Sequence, residues 1–216
     1  MTIYLFQKKK ELGAVISFSF AILTKTWPIL FFIPIAKGIK NKKLIILIIV
    51  FPVLFVFIYG WLFKSSLIDI AKTIISYQGL WGIWGVWVIL GRLGRLGVFW
   101  QKMTTLIFLV NFFCNSWFNK EKNLIKNILE LLFFFFIFTA NFSIQYFTWI
   151  IPFLILIKPR NYLFLIILIS LFLFSFYYFW LYCVGCKITP TWLGATQNII
   201  GFILWFSFIK VGYLSK

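Results

Sequence analysis

Arg92 and Arg95 stand three residues apart in Gly91-Arg-Leu-Gly-Arg-Leu-Gly97, a spacing that stacks both guanidiniums on one face of a helix. Planar guanidinium forks grip phosphate oxygens in pairs, so two of them at a membrane surface suit a phosphate or pyrophosphate, as they also suit lipid headgroups. A second cluster, Asn141-Phe-Ser-Ile-Gln145-Tyr146-Phe-Thr-Trp149, offers an amide for a hydroxyl and two rings for stacking. A third, running from Tyr77 through Trp81 and Trp84-Gly85 to Trp87, alternates indoles with glycines. That pattern fits an interfacial aromatic belt, or a wall where a substrate approaches the backbone. Lys25, in Thr24-Lys-Thr-Trp-Pro28, adds a cation, and Asp69 is the sole aspartate. Being alone does not make Asp69 a general base.

The elements that carry these groups are membrane elements. The chain has 216 residues, 63% hydrophobic and 23% aromatic with 12% charged, so its surface must be mostly apolar. We expect an all-α fold: a polytopic transmembrane helical bundle in the cell membrane, with several short or broken membrane helices, forming one integral membrane domain over residues 1–216. The net charge of +17 arises from 21 Lys and Arg against four acids. On a soluble domain this balance would suggest nucleic acid. Here the cations sit in short clusters between apolar runs, which is the pattern of cytoplasmic loops facing anionic membrane lipid, and nucleic-acid binding is not supported.

Two apolar runs, Ile128–Ala140 and Ile150–Ile157, are each too short to cross a bilayer and flank the Gln145 cluster. Lys120, Lys122 and Lys126 precede the pair; Lys158 and Arg160 follow it. Both basic ends belong in the cytoplasm, so the runs are expected as a tight pair of half-length helices with Gln145, Tyr146 and Trp149 near the outer face. Ala14–Leu23 and Ile29–Ala36 repeat the pattern around Lys25, with Lys8–Lys10 before and Lys37, Lys40, Lys42 and Lys43 after. A second half-crossing pair is favoured over one kinked span of about 23 residues, because Pro28 forbids an ideal helix and Thr24–Trp27 needs a polar setting.

Full spans are expected at Leu44–Phe63 and Tyr162–Tyr182, with Thr104–Phe118 and Ile199–Ile209 returning the chain inward. Lys64–Gln78 and residues 183–195 then form external stretches. This layout puts 14 of the 21 basic residues in the cytoplasm, a bias that favours it over its mirror image. Lys8–Lys10 and the apolar stretch behind them imitate a secretion signal, but no small-residue cleavage site precedes the next basic loop. Cys183-Val-Gly-Cys186 lacks a second pair or any His to complete a metal or redox site, and Cys114 reads as a small core residue. No cofactor is evident, and the residues leave dependence on a divalent metal open.

Phe142-Ser-Ile-Gln145-Tyr146-Phe-Thr-Trp149-Ile-Ile-Pro152-Phe resembles the Ser-x-Gln-Tyr-x-x-Trp-x-x-Pro-Phe segment of mannosyltransferase-like membrane glycosyltransferases of the GT-C class, related to the GPI mannosyltransferase catalytic subunit. Lys25-Thr-Trp-Pro28, followed by Pro34, is similar to their Lys-x-x-Pro-hydrophobic-Pro segment, and Tyr77 through Trp84-Gly85 to their Tyr-x6-Trp-Gly segment. The three occur in the family's order and cover about Ala14–Pro159. Members of this class carry the catalytic acid in the first external loop, which has no counterpart before Thr24. The resemblance therefore implies the C-terminal portion of such an enzyme, with a separate N-terminal polypeptide supplying the rest.

The resemblance further implies inverting transfer of a sugar, mannose or another hexose, from a polyprenyl-phosphate donor to an acceptor at the extracytoplasmic face. Lys25, Arg92 and Arg95 would hold the phosphate; Tyr77, Trp81, Trp84, Tyr146 and Trp149 would line the sugar or lipid path, with Gln145 bonding a hydroxyl. Taken singly, the same aromatics serve equally as interfacial anchors and Gln145 as a helix-to-helix hydrogen bond. The competing classes are a non-enzymatic carrier of a lipid-linked substrate, which would show matching broken helices in two halves, and an accessory subunit supplying only a lipid-binding wall.

Overall fold

The computed structural model describes residues 1–25, 27–76, 80–81, 84–85, 88, 95–139, 141–183 and 191–213. Contacts divide the chain into two compact units: Met1–Tyr77 with Ser116–Asn127, and Gln78–Asn115 with Ile128–Lys216. Among the described residues the fold is helical, apart from one antiparallel pairing of two-residue strands. Three helices are long and apolar enough to cross a membrane: Lys43–Leu62, Tyr162–Phe179 and Gly194–Gly212.

The first unit contains α1 (Thr2–Gln7), α2 (Glu11–Thr24), a 3-10 turn (Trp27–Phe31), α3 (Phe32–Gly38), α4 (Lys43–Leu62) and α5 (Leu67–Ser76). The break after α2 comes where the sequence predicts it. Lys25 is extended, at φ −152° and ψ 136°, and Pro28, which has no N–H to continue the ladder of α2, sits inside the 3-10 turn. The Glu11 carboxylate then accepts the backbone N–H groups of Lys40 and Asn41, each at 3.1 Å. The start of α2 and the residues after α3 therefore meet, and the segment closes as a hairpin. One kinked span would hold those ends more than about 30 Å apart.

Ala14, Val15 and Phe18 are buried, and Phe20 of α2 meets Phe55 of α4 edge to face at 5.4 Å. Ser19 donates to the Val15 carbonyl at 3.0 Å and reaches the Leu47 carbonyl of α4 at 3.4 Å, so a buried hydroxyl joins the two helices. Most large side chains on α4 are exposed, including Ile46, Ile49, Phe57 and Trp61, as a lipid-facing helix requires. Its end is closed by Lys64 in the left-handed region, with the Ser65 N–H on the Gly60 carbonyl. The expected external stretch at 64–78 is thus largely helical. In α5, Asp69, Lys72 and Thr73 recur at helical spacing on one face, with Leu67 and Ile68 before them and Ile70 and Ala71 between, a 3.6-residue periodicity.

The second unit is built from α6 (Arg95–Phe118), α7 (Leu124–Phe138), α8 (Phe147–Ile157), α9 (Tyr162–Cys183) and α10 (Thr191–Tyr213), the last turn of α6 and the first of α7 belonging to the first unit. Residues Leu131 to Ile137 of α7 are all buried, so this helix has neighbours on every side. Phe136, Phe147, Phe172 and Phe208, from four different helices, form the centre of the core. The two half-length helices meet where they join their turn, through Phe136 stacked on Phe147 at 4.6 Å. Beyond that point α8 packs along α9, which in turn packs along α10.

One expectation is corrected here. Cys114 is exposed on α6 rather than in the core, because the core face of that helix belongs to Phe108 and Phe112. Helix α10 begins at Thr191, so the later part of the expected external stretch 183–195 is helical. Cys186, Lys187 and Pro190 lie outside the described residues.

Candidate functional site

In the second unit Leu80 pairs with Phe142 and Trp81 with Asn141 in an antiparallel bridge. The indole-glycine segment and the Gln-Tyr-Trp segment, far apart in sequence, are thereby joined by their backbones. Trp84 lies three residues beyond the bridge and is 1% exposed. Its ring sits against Phe147, Phe172 and Phe208, at 4.7, 5.4 and 6.1 Å, and its indole N–H donates to the Phe136 carbonyl.

That bond has a physical cause. The last carbonyls of a helix have no partner within it, and a buried, unpaired carbonyl is costly. Helix α7 ends at Phe138, which is exposed, but Phe135, Phe136 and Ile137 of its last turn are buried in an apolar core. The Phe135 carbonyl takes the Thr139 N–H at 2.8 Å, the Phe136 carbonyl takes Trp84, and the Ile137 carbonyl takes the Trp205 indole N–H at 2.9 Å. Gly85 lets Trp205 reach this position. Its φ is +54°, and a Cβ there would lie 2.8 Å from the Trp205 ring.

After the bridge, Ser143 is extended, Ile144–Tyr146 form a 3-10 turn, and α8 begins at Phe147. Phe147 is fully buried and fixes the turn to the core, while Gln145 on the same turn is exposed. Tyr146 and Trp149 are half-buried, with rings stacked at 3.8 Å and 23°. The turn is locked further by Thr148, whose hydroxyl donates to the Gln145 carbonyl at 2.7 Å. The result is a rigid aromatic platform beside an accessible amide.

The other expected site residues divide as follows. Trp84, expected on a belt or a substrate wall, is enclosed in the aromatic core. Lys25 is exposed at the tip of the first unit's hairpin, at the other end of α2 from Glu11. Asp69 is exposed in the first turn of α5, where a carboxylate complements the helix dipole. For Trp81 and Arg95 the backbone alone is described, Arg95 opening α6. Tyr77 and Arg92 lie outside the described residues. Trp205 was missed, because an indole inside an apolar run carries no sign of the carbonyl it will meet.

Two of the four acids are placed by clear causes. Glu11 holds the backbone after α3, and Glu121 pairs with Lys126 at 2.7 Å while accepting the Asn123 N–H at 2.9 Å. Among the described residues, no three of His, Cys, Asp and Glu come together as around a metal ion. No family model matches the chain, and no curated protein or solved structure matches it.

Proposed function

We propose that this chain forms the donor-binding part of a membrane glycosyltransferase, handling mannose or another hexose carried on a polyprenyl phosphate at the extracytoplasmic face of the cell membrane. The observation that supports this reading is the Leu80–Trp81 pairing with Asn141–Phe142, which joins two segments resembling transferase motifs in one unit. Tyr146 and Trp149 offer a preformed ring surface for a sugar, and Gln145 an amide within reach of its hydroxyls. The resemblance assigns the phosphate to Arg92 and Arg95 and the path beside it to Trp81, all in the same stretch of sequence as the bridge. Trp84 acts one step back, as a positioning residue.

Transfer requires the acceptor oxygen to attack the anomeric carbon as the bond from that carbon to the phosphate oxygen breaks. The polyprenyl phosphate leaves with the electron pair, and a carboxylate takes the acceptor proton. This reading takes the base from a separate polypeptide, as the resemblance implies; of the chain's own acids, Glu11 and Glu121 are engaged elsewhere. The same observation favours a second reading, an accessory subunit that binds the lipid-linked sugar without transferring it.

The test is binding of a radiolabelled polyprenyl-phosphate mannose to the full chain in proteoliposomes, with and without acceptor. Saturable binding that weakens about tenfold in Gln145→Ala, the scale of one lost hydrogen bond, supports the reading. Equal binding by wild type and variant removes Gln145 from the site, and an absence of saturable binding removes the function. Transfer by the chain alone that Asp69→Asn abolishes would assign the base to Asp69.

A further inference from the structure

The first unit gathers most of its cations at one end. Lys37 at the end of α3 donates its ammonium hydrogens to the carbonyls of Ser116 (2.9 Å), Trp117 and Asn119 (3.2 Å), which close α6. This ties the end of the α2–α3 hairpin to the turn between α6 and α7. Between them lies a cavity of about 290 Å³, walled by Phe6, Pro34 and Leu124 and bordered by Lys37, Lys120 and Lys122. Its size suits a headgroup rather than a whole lipid, being at the lower limit of small-molecule sites.

Three cations and one carboxylate, Glu121, line this space. The carboxylate is occupied by Lys126 and the Asn123 N–H, and the Lys37 ammonium by carbonyls. Lys120 and Lys122, both exposed, flank Glu121 on a turn that is itself rigid. Asn119 accepts the Glu121 N–H at 2.8 Å and donates to Asn127 at 3.3 Å, and Asn123 caps α7 through the Ile125 N–H at 3.0 Å. Two ammonium groups on a preformed turn make an anion site with little ordering cost.

The walls decide between a soluble anion and a lipid. Phe6 packs directly over Gly38, where a Cβ would lie 2.2 Å from its ring, so the apolar wall is built into the fold. Elsewhere on α1 Tyr4 is 58% exposed with the Lys8 ammonium 5.8 Å from its ring, and Leu12 in the first turn of α2 is 52% exposed. Aromatic and aliphatic groups left bare beside lysines suit the boundary between headgroups and acyl chains, whereas they would be a liability around an aqueous phosphate site. We propose that this cavity seats the phosphodiester headgroup of an anionic phospholipid, with Lys120 and Lys122 on the phosphate and Phe6 and Pro34 along the first carbons of the lipid.

Native mass spectrometry of the full chain, released from detergent with phosphatidylglycerol or phosphatidylcholine, resolves single bound lipids and tests this. We expect one phosphatidylglycerol to bind at least tenfold more tightly than phosphatidylcholine. That preference should be abolished in Lys120→Gln/Lys122→Gln, since about a factor of five per cation exceeds tenfold for the pair, and persist in Lys120→Arg/Lys122→Arg. Lys64→Gln/Lys72→Gln, on α5 and its approach, should leave it unchanged. An equal loss in that control pair would mean diffuse attraction and overturn the site. Displacement of the bound lipid by millimolar inorganic phosphate would assign the cavity to a soluble anion and overturn the lipid. Loss in the arginine pair, with the variant's helix content intact by circular dichroism, would also overturn the role given to the two charges.

Discussion

The Trp205 indole N–H donates to the Ile137 carbonyl at 2.9 Å, one residue along from the Phe136 carbonyl that accepts Trp84. Two indoles from opposite ends of the second unit's sequence thus close a helix that ends inside an apolar core. Trp84→Phe and Trp205→Phe each keep an aromatic ring but leave a buried carbonyl unpaired, at a cost of about 1–3 kcal/mol to which the smaller ring adds a cavity. Thermal unfolding should show both variants destabilised, whereas Trp117→Phe, exposed on α6, should match wild type.

Gly85 and Trp205 should be coupled. Gly85→Ala places a methyl group where the indole lies and forces a left-handed backbone on alanine, the latter alone costing about 1–2 kcal/mol. In a Trp205→Ala background the clash disappears and the backbone cost remains. A double-mutant cycle should therefore give a smaller penalty for Gly85→Ala in that background; equal penalties would refute the contact.

Lys37→Met keeps the side-chain length and removes the cation that three carbonyls share. Because the side chain is exposed, the loss should be near 1 kcal/mol, the scale of a charge at a helix C-terminus. Hydrogen exchange should quicken at residues 116–123 and stay unchanged in α4.

Glu121 predicts an acid sensitivity with a definite sign. The Lys126 ammonium first, then the Asn123 N–H, hold its carboxyl below the ordinary carboxylate range. A carboxyl that ionises more readily folded than unfolded favours the fold while charged. That contribution is complete above the ordinary carboxylate pKa and is lost as pH falls through the lowered folded value. Between pH 7 and pH 3 the unfolding temperature of wild type should fall further than that of Glu121→Gln, the other acids contributing equally to both.

Composition and charge spacing determined much of this protein by themselves. Apolar runs of about 20 residues marked α4 and α9, and the proline and polar residues around Lys25 marked the break between α2 and α3. The same reading located the half-length helices around Gln145. These features are local: a helix ends where its own residues cannot continue it, and a run spans or fails to span by its length alone.

Tertiary structure decided the rest. No spacing rule brings Leu80 beside Phe142, turns Trp84 into the core while Gln145 faces out, or sends Trp205 to the carbonyl of Ile137. In a chain with 30 Phe and 11 Trp, nearly every segment is apolar enough for the core, so hydrophobicity cannot choose which rings enter it. The choice falls to the carbonyls left open at the end of α7, which accept the indoles able to reach them, and to Gly85, whose missing side chain leaves one of them room.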